Sequence, residues 1–177
     1  MSSPGSRLLQ MHAEHQDALR YALTEVAETS FFAFACRCDA ELFGEMANAP
    51  ADEGGPSGDR WVVADVAFDG ACEGRLSVAM PEALARDLYV AFIGAEPGSH
   101  PEDVAVIEAA GEFVNMVCGR WLTRSCERGP FSLRAPEGTR MPAGWTPLDE
   151  RTPAEAGDIF ALLNDAPLRA RLALGSD

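Results

Sequence analysis

The chain has 177 residues, of which 47% are hydrophobic, and this is enough to form one folded domain with a buried core. Its formal net charge is −14 and all 14 of its basic residues are arginines, so nucleic acid and anionic membrane are not expected partners. The absence of lysine also excludes Schiff-base chemistry and a P-loop lysine within this chain.

The sequence predicts a cytoplasmic protein. It contains neither a signal-peptide pattern nor an uncharged apolar run of the roughly 18 residues that a membrane span requires. The five cysteines are therefore expected to be reduced thiols. Cysteines and histidines do not occur at the spacings typical of a metal site, and none is predicted.

The first part of the chain predicts a long helix, a strand and a loop. Apolar residues recur at steps of three and four over 7–30, which is typical of an amphipathic helix. The aromatic run Phe31–Cys38 predicts a strand, in which Cys36 and Cys38 point to the same face. Residues 44–60 are rich in Gly, Pro and acidic residues without periodicity, and we predict a mobile loop there.

A hairpin and a helix follow. Two β-rich runs, 61–70 and 71–80, meet at Asp69-Gly70, and Asp-Gly suits a tight primed turn. The next segment, 81–94, begins with proline, which is favoured in a first helical turn, and ends with glycine, a common helix stop.

The last part of the chain predicts a longer helix and three strands. Ser99 and Glu102 are spaced as a capping box for a helix over 100–124. Strands are predicted at 131–138, ending at Pro136, and at 159–164 and 168–174, joined by a turn at 165–167. The resulting order, a helix and three strands used twice, predicts one two-layer α+β domain over 1–177. Its long helices would pack on one face of a largely antiparallel sheet.

The helix over 100–124 has two distinct faces. With Glu108 set at zero on a helical wheel, four residues lie within about 60° of it: Gly111, Glu112, Asn115 and Gly119. The opposite side carries Val106, Ala110, Phe113, Val114, Val117 and Trp121, which should pack on the sheet. Glycine costs about 1 kcal/mol of helix propensity relative to alanine, so each interior glycine needs a reason. Either a partner approaches the helix closely, or the glycines pack against a neighbouring helix in the chain.

The run from Glu112 to Gly119 resembles the ExxN motif of the CheC/CheX/FliY family of chemotaxis phosphatases, and is most similar to the ExxNM-x-x-G of CheX-like domains. Pro136 lies 21 residues after Asn115, close to the position of the family's proline. Glu108 stands where the family has Asp or Ser, which is a departure. The segments DVAFDGACEGRLSVAM and EALARDLYVAFIG also resemble the family's strand pair and helix, and the resemblance covers about 14–175.

The resemblance implies hydrolysis of an aspartyl phosphate on a CheY-like receiver domain. Asn115 would orient the attacking water and Glu112 would pair with the receiver's active-site lysine. Partner contacts would come from Glu108, Gly111, Met116, Gly119 and Pro136. The chain would need no cofactor of its own, since the receiver supplies Mg²⁺.

Family members of the CheC type carry a second site on the first helix. Here Glu25 is followed three residues later by Glu28 rather than Asn, so we expect one active centre, as in CheX-like members. The resemblance also implies a homodimer formed through sheet edges. Two alternatives remain open: a non-catalytic domain that binds receivers or acts as a scaffold, and a purely structural dimerisation module.

Overall fold

A computed structural model describes residues 4–49, 60–96, 98–99, 101–125, 129–148 and 158–175, the first nine of them by their backbone alone. The helices are α1 (Pro4–Ser30), α2 (Ala40–Asn48), α3 (Glu82–Ile93) and α4 (Asp103–Ser125). The strands are β1 (Ala35–Cys38), β2 (Trp61–Gly70), β3 (Gly74–Pro81), β4 (Phe131–Leu133), β5 (Glu137–Arg140), β6 (Asp158–Leu163) and β7 (Ala166–Leu174). None of the helices in these ranges is long and apolar enough to cross a membrane.

Both halves of the chain contribute to one antiparallel sheet. Its strand order is β1-β6-β7-β3-β2-β4, and β5 pairs with β2 beside β4. The long helices α1, α3 and α4 share one buried core with the alternate residues Val62, Ala64 and Val66 of β2. The predicted α+β fold, with long helices on one face of a largely antiparallel sheet, is confirmed.

The opposite face of the sheet carries α2, a helix that the sequence reading did not predict. The mobile loop predicted at 44–60 is wrong over its first five residues, 44–48, which form the end of α2; residues 50–59 lie outside the described ranges. The Asp39 carboxylate caps this helix by accepting a hydrogen bond from the Leu42 N–H at 2.8 Å. Phe43 and Ala47, one turn apart, are buried in a second apolar cluster. Burial of that face outweighs the helix-weakening glycine at position 44.

The predicted hairpin of β2 and β3 is confirmed, but its turn lies later than expected. Asp69 and Gly70 remain in β2 and pair with β4, and the connection consists of residues 71–73. Gly70 has φ +125°, and a Cβ there would lie 2.3 Å from the Pro130 carbonyl oxygen. Contact with β4, rather than the geometry of a tight turn, therefore requires this glycine.

The ends of three other elements also differ from prediction. Residues 31–34 are not part of β1, because Phe32 adopts φ +52° after the end of α1. The capping box is wrong: the Ser99 hydroxyl donates to the Glu96 carbonyl at 2.6 Å, and α4 begins at Asp103. The last hairpin turns at Asn164 and Asp165, which both have positive φ as a two-residue primed turn requires.

A charged cluster joins β5 to the first turns of α3 and α4. Arg140 contacts Glu82 through Nε at 2.8 Å, and its Nη1 donates to the Asp103 Oδ2 at 2.7 Å. The hydrogen bond from Arg140 lowers the pKa of Asp103 below its usual range. Beside this cluster Gly138 packs under α4, since a Cβ on it would lie 2.4 Å from the Ile107 Cγ2. These contacts determine where the outward face of α4 lies relative to β5.

Candidate functional site

The outward face of α4 carries the polar residues singled out from the sequence. Glu108 is exposed, while Glu112 and Asn115 are half-buried. All six residues predicted to form the apolar face, Val106, Ala110, Phe113, Val114, Val117 and Trp121, are fully buried. The predicted separation of the two faces is therefore confirmed. We call Glu108, Glu112 and Asn115 the polar ridge.

The polar groups of this ridge are available to a partner. Within the part of the chain that the structure describes, the side chains of Glu108, Glu112 and Asn115 form no hydrogen bond or ion pair with other residues. Glu112 and Asn115 are three residues apart, which places their Cβ atoms about 5–6 Å apart on a helix. The ridge thus presents a carboxylate and a carboxamide side by side, the second able to donate and accept hydrogen bonds at once.

The two glycines of α4 lie against the segment from β4 to β5. A Cβ on Gly111 would lie 3.4 Å from the Pro136 Cβ, and one on Gly119 would lie 3.6 Å from the Leu133 Cδ1. At these distances a methyl group would make ordinary van der Waals contact, so packing within the chain does not require glycine at either position. The neighbours are a strand and a loop rather than the helix that the packing explanation predicted. The structure also brings Pro136 to the edge of the polar ridge, 25 residues along the chain from Gly111.

The C-terminal half of α1 borders the ridge on its other side. Glu25 of α1 accepts a hydrogen bond from the Arg120 Nε of α4 at 2.6 Å, and this contact raises the pKa of Arg120. An open groove of about 360 Å³ lies between the two helices, and both Met116 and Gly119 line it. Sequence reasoning considered Glu25 only as part of a second site and missed its ion pair, because no local pattern connects residues 95 positions apart.

Aromatic rings connect the buried face of α4 to the ends of α1 and α3. The Phe113 ring, which follows Glu112 in sequence, makes an edge contact with Phe31 at a centroid distance of 5.3 Å. Phe31 stacks on Phe92 of α3 at 5.2 Å. Sequence reasoning predicted Phe113 as core but did not connect it with the other two rings. Within the described ranges, no group of three or more His, Cys, Asp or Glu residues is arranged to hold a metal ion.

Comparison with known proteins finds one family model that matches part of the sequence, and several solved structures that share the fold. The model of the family described as chemotaxis phosphatase CheX matches residues 62–140, a range that includes the polar ridge and Pro136. No curated protein matches the sequence significantly.

Several solved structures share the fold. A chemotaxis protein CheX from Desulfovibrio desulfuricans is 17% identical, with a TM-score of 0.61 over 92% of this chain and 99% of that one. CheX from Vibrio vulnificus is 18% identical, with a TM-score of 0.60 over 93% and 98%. A CheX–CheY–BeF3–Mg²⁺ complex from Borrelia burgdorferi matches at 11% identity, with a TM-score of 0.55 over 90% and 97%. The match over residues 62–140 and the shared fold confirm the resemblance to the CheC/CheX/FliY family.

Proposed function

We propose that this chain, as a protein of the CheX type, is a phosphatase that hydrolyses the aspartyl phosphate of a CheY-like receiver domain. The observation that carries the proposal is the polar ridge of α4. It presents a carboxamide and a carboxylate one turn apart, neither engaged by another described residue, within the segment that matches the CheX family model. A CheX of the same fold is found in complex with CheY, BeF3 and Mg²⁺, which supports a CheY-like receiver as the partner.

Asn115 is the residue proposed to act on the attacking water. In the reaction the water oxygen bonds to phosphorus, the bond between phosphorus and the aspartyl oxygen breaks, and inorganic phosphate leaves a free carboxylate. The Asn115 amide oxygen accepts a hydrogen bond from the water, and this orients its lone pair in line with the breaking bond. Positioning groups of this kind are worth about 10²–10³ in rate.

The magnesium for this reaction belongs to the receiver. The receiver's Mg²⁺ neutralises charge on the phosphoryl oxygens, so the chain itself needs to supply orientation rather than a metal site. The polar ridge, with one amide beside two carboxylates, is suited to orienting a water molecule beside a metal that the receiver holds.

Glu112 is proposed to determine the docking register. Its carboxylate would pair with the receiver's active-site lysine, and its half-buried position on a packed helix limits the conformational freedom lost on docking. Glu108 is more exposed and lies at the rim, where solvent weakens its contribution.

The residues around the ridge shape the surface that the receiver would meet. Gly111 and Gly119 keep that side of α4 low, while Pro136 and Met116 border the ridge on its two flanks. A low, bordered ridge suits insertion into the concave active site of a receiver. The homodimer implied by the family stays a prediction, and analytical ultracentrifugation of the purified chain would test it.

The test is release of inorganic phosphate from the CheY-like receivers encoded in the same genome, phosphorylated with acetyl phosphate and freed of excess donor. We expect the chain, added at one tenth of the receiver concentration, to accelerate release with multiple turnovers. Binding of the phosphorylated receiver without acceleration would instead support the non-catalytic scaffold. If the chain bound no receiver, the result would favour the purely structural dimerisation module.

A further inference from the structure

We propose that Phe32, Phe92 and Ile93 form an apolar anchor by which the receiver domain docks beside the polar ridge. This inference rests on the proposed function, because it concerns the same partner and the same side of the molecule. We call these three residues the aromatic anchor.

All three side chains are exposed although they are large and apolar. Phe32 is 79% exposed, Phe92 46% and Ile93 52%. Phe32 follows α1 directly and Phe92 lies in the last turn of α3. The buried Phe31 ring joins these helix ends, because it stacks on Phe92 and precedes Phe32 in the chain.

The backbone holds Phe32 in place at a conformational cost. Its φ of +52° is in the left-handed region, where the residue after a helix is usually glycine and where a bulky residue is an outlier. Phe31 and Ala33 on either side are buried, and the Ala33 N–H donates to the Ala27 carbonyl at 2.9 Å. The chain therefore keeps a strained aromatic residue in a position that would favour glycine, and directs its ring into solvent. Strain of this kind is concentrated at functional sites.

An open surface groove extends from beside the polar ridge to the end of α1, two residues before Phe32. Phe31 also contacts Phe113 on the buried face of α4, so these core contacts hold the ends of α1 and α3 against the helix that carries the ridge. On the α1 side, Ser30 lines the same groove as Met116, the residue next to Asn115. A partner domain that covers Glu112 and Asn115 and extends toward the ends of α1 and α3 would therefore contact the aromatic anchor.

The chemistry of the combined surface favours the receiver as its occupant. The ridge alone offers two carboxylates and an amide, and exposed charges give orientation more than affinity. Aromatic residues beside such a polar centre supply the buried apolar area from which most binding energy comes. The matching partner surface has a cationic group bordered by apolar side chains, with the cation opposite Glu112.

The test compares Phe32→Gly with Phe34→Ala in the full chain. Glycine adopts the backbone conformation of Phe32 without strain, so this variant removes the ring while preserving the fold. Phe34 is a matched control, since it is also an exposed aromatic, at 68%, but its backbone is bonded to Asn164 beside the edge strand β1. The probe is a CheY-like receiver loaded with BeF3 and Mg²⁺ for binding, and the same receiver phosphorylated for turnover.

We expect Phe32→Gly to raise the Kd for the BeF3-loaded receiver, and the receiver concentration for half-maximal rate, about tenfold or more. The maximal rate should stay within about twofold of the parent, and Phe34→Ala should bind as the parent does. Equal binding by Phe32→Gly and the parent, in a parent that hydrolyses phosphoreceiver, would overturn the anchor and leave the proposed function standing. Equal loss in both variants, with a change in oligomeric state, would overturn it in favour of an interface between two copies. A parent that binds no receiver would overturn the proposed function and the anchor with it.

Discussion

Substitution of Asn115 by alanine should separate catalysis from stability. The side chain is half-buried and has no hydrogen-bond partner among the described residues, so its removal leaves no buried polar group unsatisfied. Alanine also has a higher helix propensity than asparagine, by roughly 0.6 kcal/mol in a helix interior. We therefore expect the free energy of unfolding of Asn115→Ala to equal that of the parent or exceed it slightly, within about 1 kcal/mol.

The same change should slow dephosphorylation by about two orders of magnitude. Loss of one water-positioning group raises the activation barrier by about 2.7 kcal/mol, which corresponds to a factor of about 100 in rate. Affinity for the phosphorylated receiver should change little, because Glu112 and the rest of the docking surface remain. The assay is single-turnover phosphate release over a range of receiver concentrations, which gives the maximal rate and the half-saturating concentration separately.

Two further variants make this test specific. Asn115→Asp has almost the same size and keeps an oxygen that can accept from the water, but it adds a negative charge that the phosphoryl group repels, so it should be at least as slow as Asn115→Ala. Val104→Ala is the control, since Val104 is 62% exposed on α4 about three turns away, and it should behave as the parent. A rate unaffected by Asn115→Ala in an active parent, or a loss of rate matched by an equal loss of affinity, would refute the role of Asn115 as a water-orienting group.

Three other changes have definite expected outcomes. Glu112→Ala should weaken both receiver binding and turnover, more strongly at low salt, as measured by titration at two ionic strengths; an effect independent of salt would contradict an ion pair. Gly138→Ala should destabilise the fold by about 1–3 kcal/mol in denaturant unfolding, because its Cβ would lie 2.4 Å from the Ile107 Cγ2. Because Arg140 lowers the pKa of Asp103 from 3.8, their contact should stabilise the fold above pH 3.8 and lose that contribution as the pH falls through the lowered pKa. Acid unfolding of Asp103→Asn should lack this component, and identical acid transitions in the two proteins would show that the contact does not contribute.

The polar ridge was predictable because it is a local property of one helix. Helical periodicity alone placed Glu112 and Asn115 on the side opposite Phe113 and Val117, and burial in the structure agrees. The end of α3 was equally local, since Gly94 adopts φ +65° as a helix stop requires. The signals for α2 were also present in the sequence: Asp39 stands at a capping position, and Phe43 and Ala47 are spaced one turn apart. The helix was not predicted because Gly44 and the acidic residues after it are more typical of a loop.

The surroundings of the ridge were decided only by the tertiary structure. Gly111 meets Pro136, Glu25 pairs with Arg120, and Phe31 contacts both Phe113 and Phe92, and each of these contacts spans at least 25 residues of chain. Spacing along a helix specifies which side chains share a face, but it contains no information about which distant segment packs beside that face. That choice depends on how the helices and the sheet bury their apolar surfaces together, which is a property of the whole fold. The sequence by itself therefore determined the pair of residues proposed to act on the phosphoryl group, and the fold determined the glycine packing, the ion pair and the exposed aromatic residues around them.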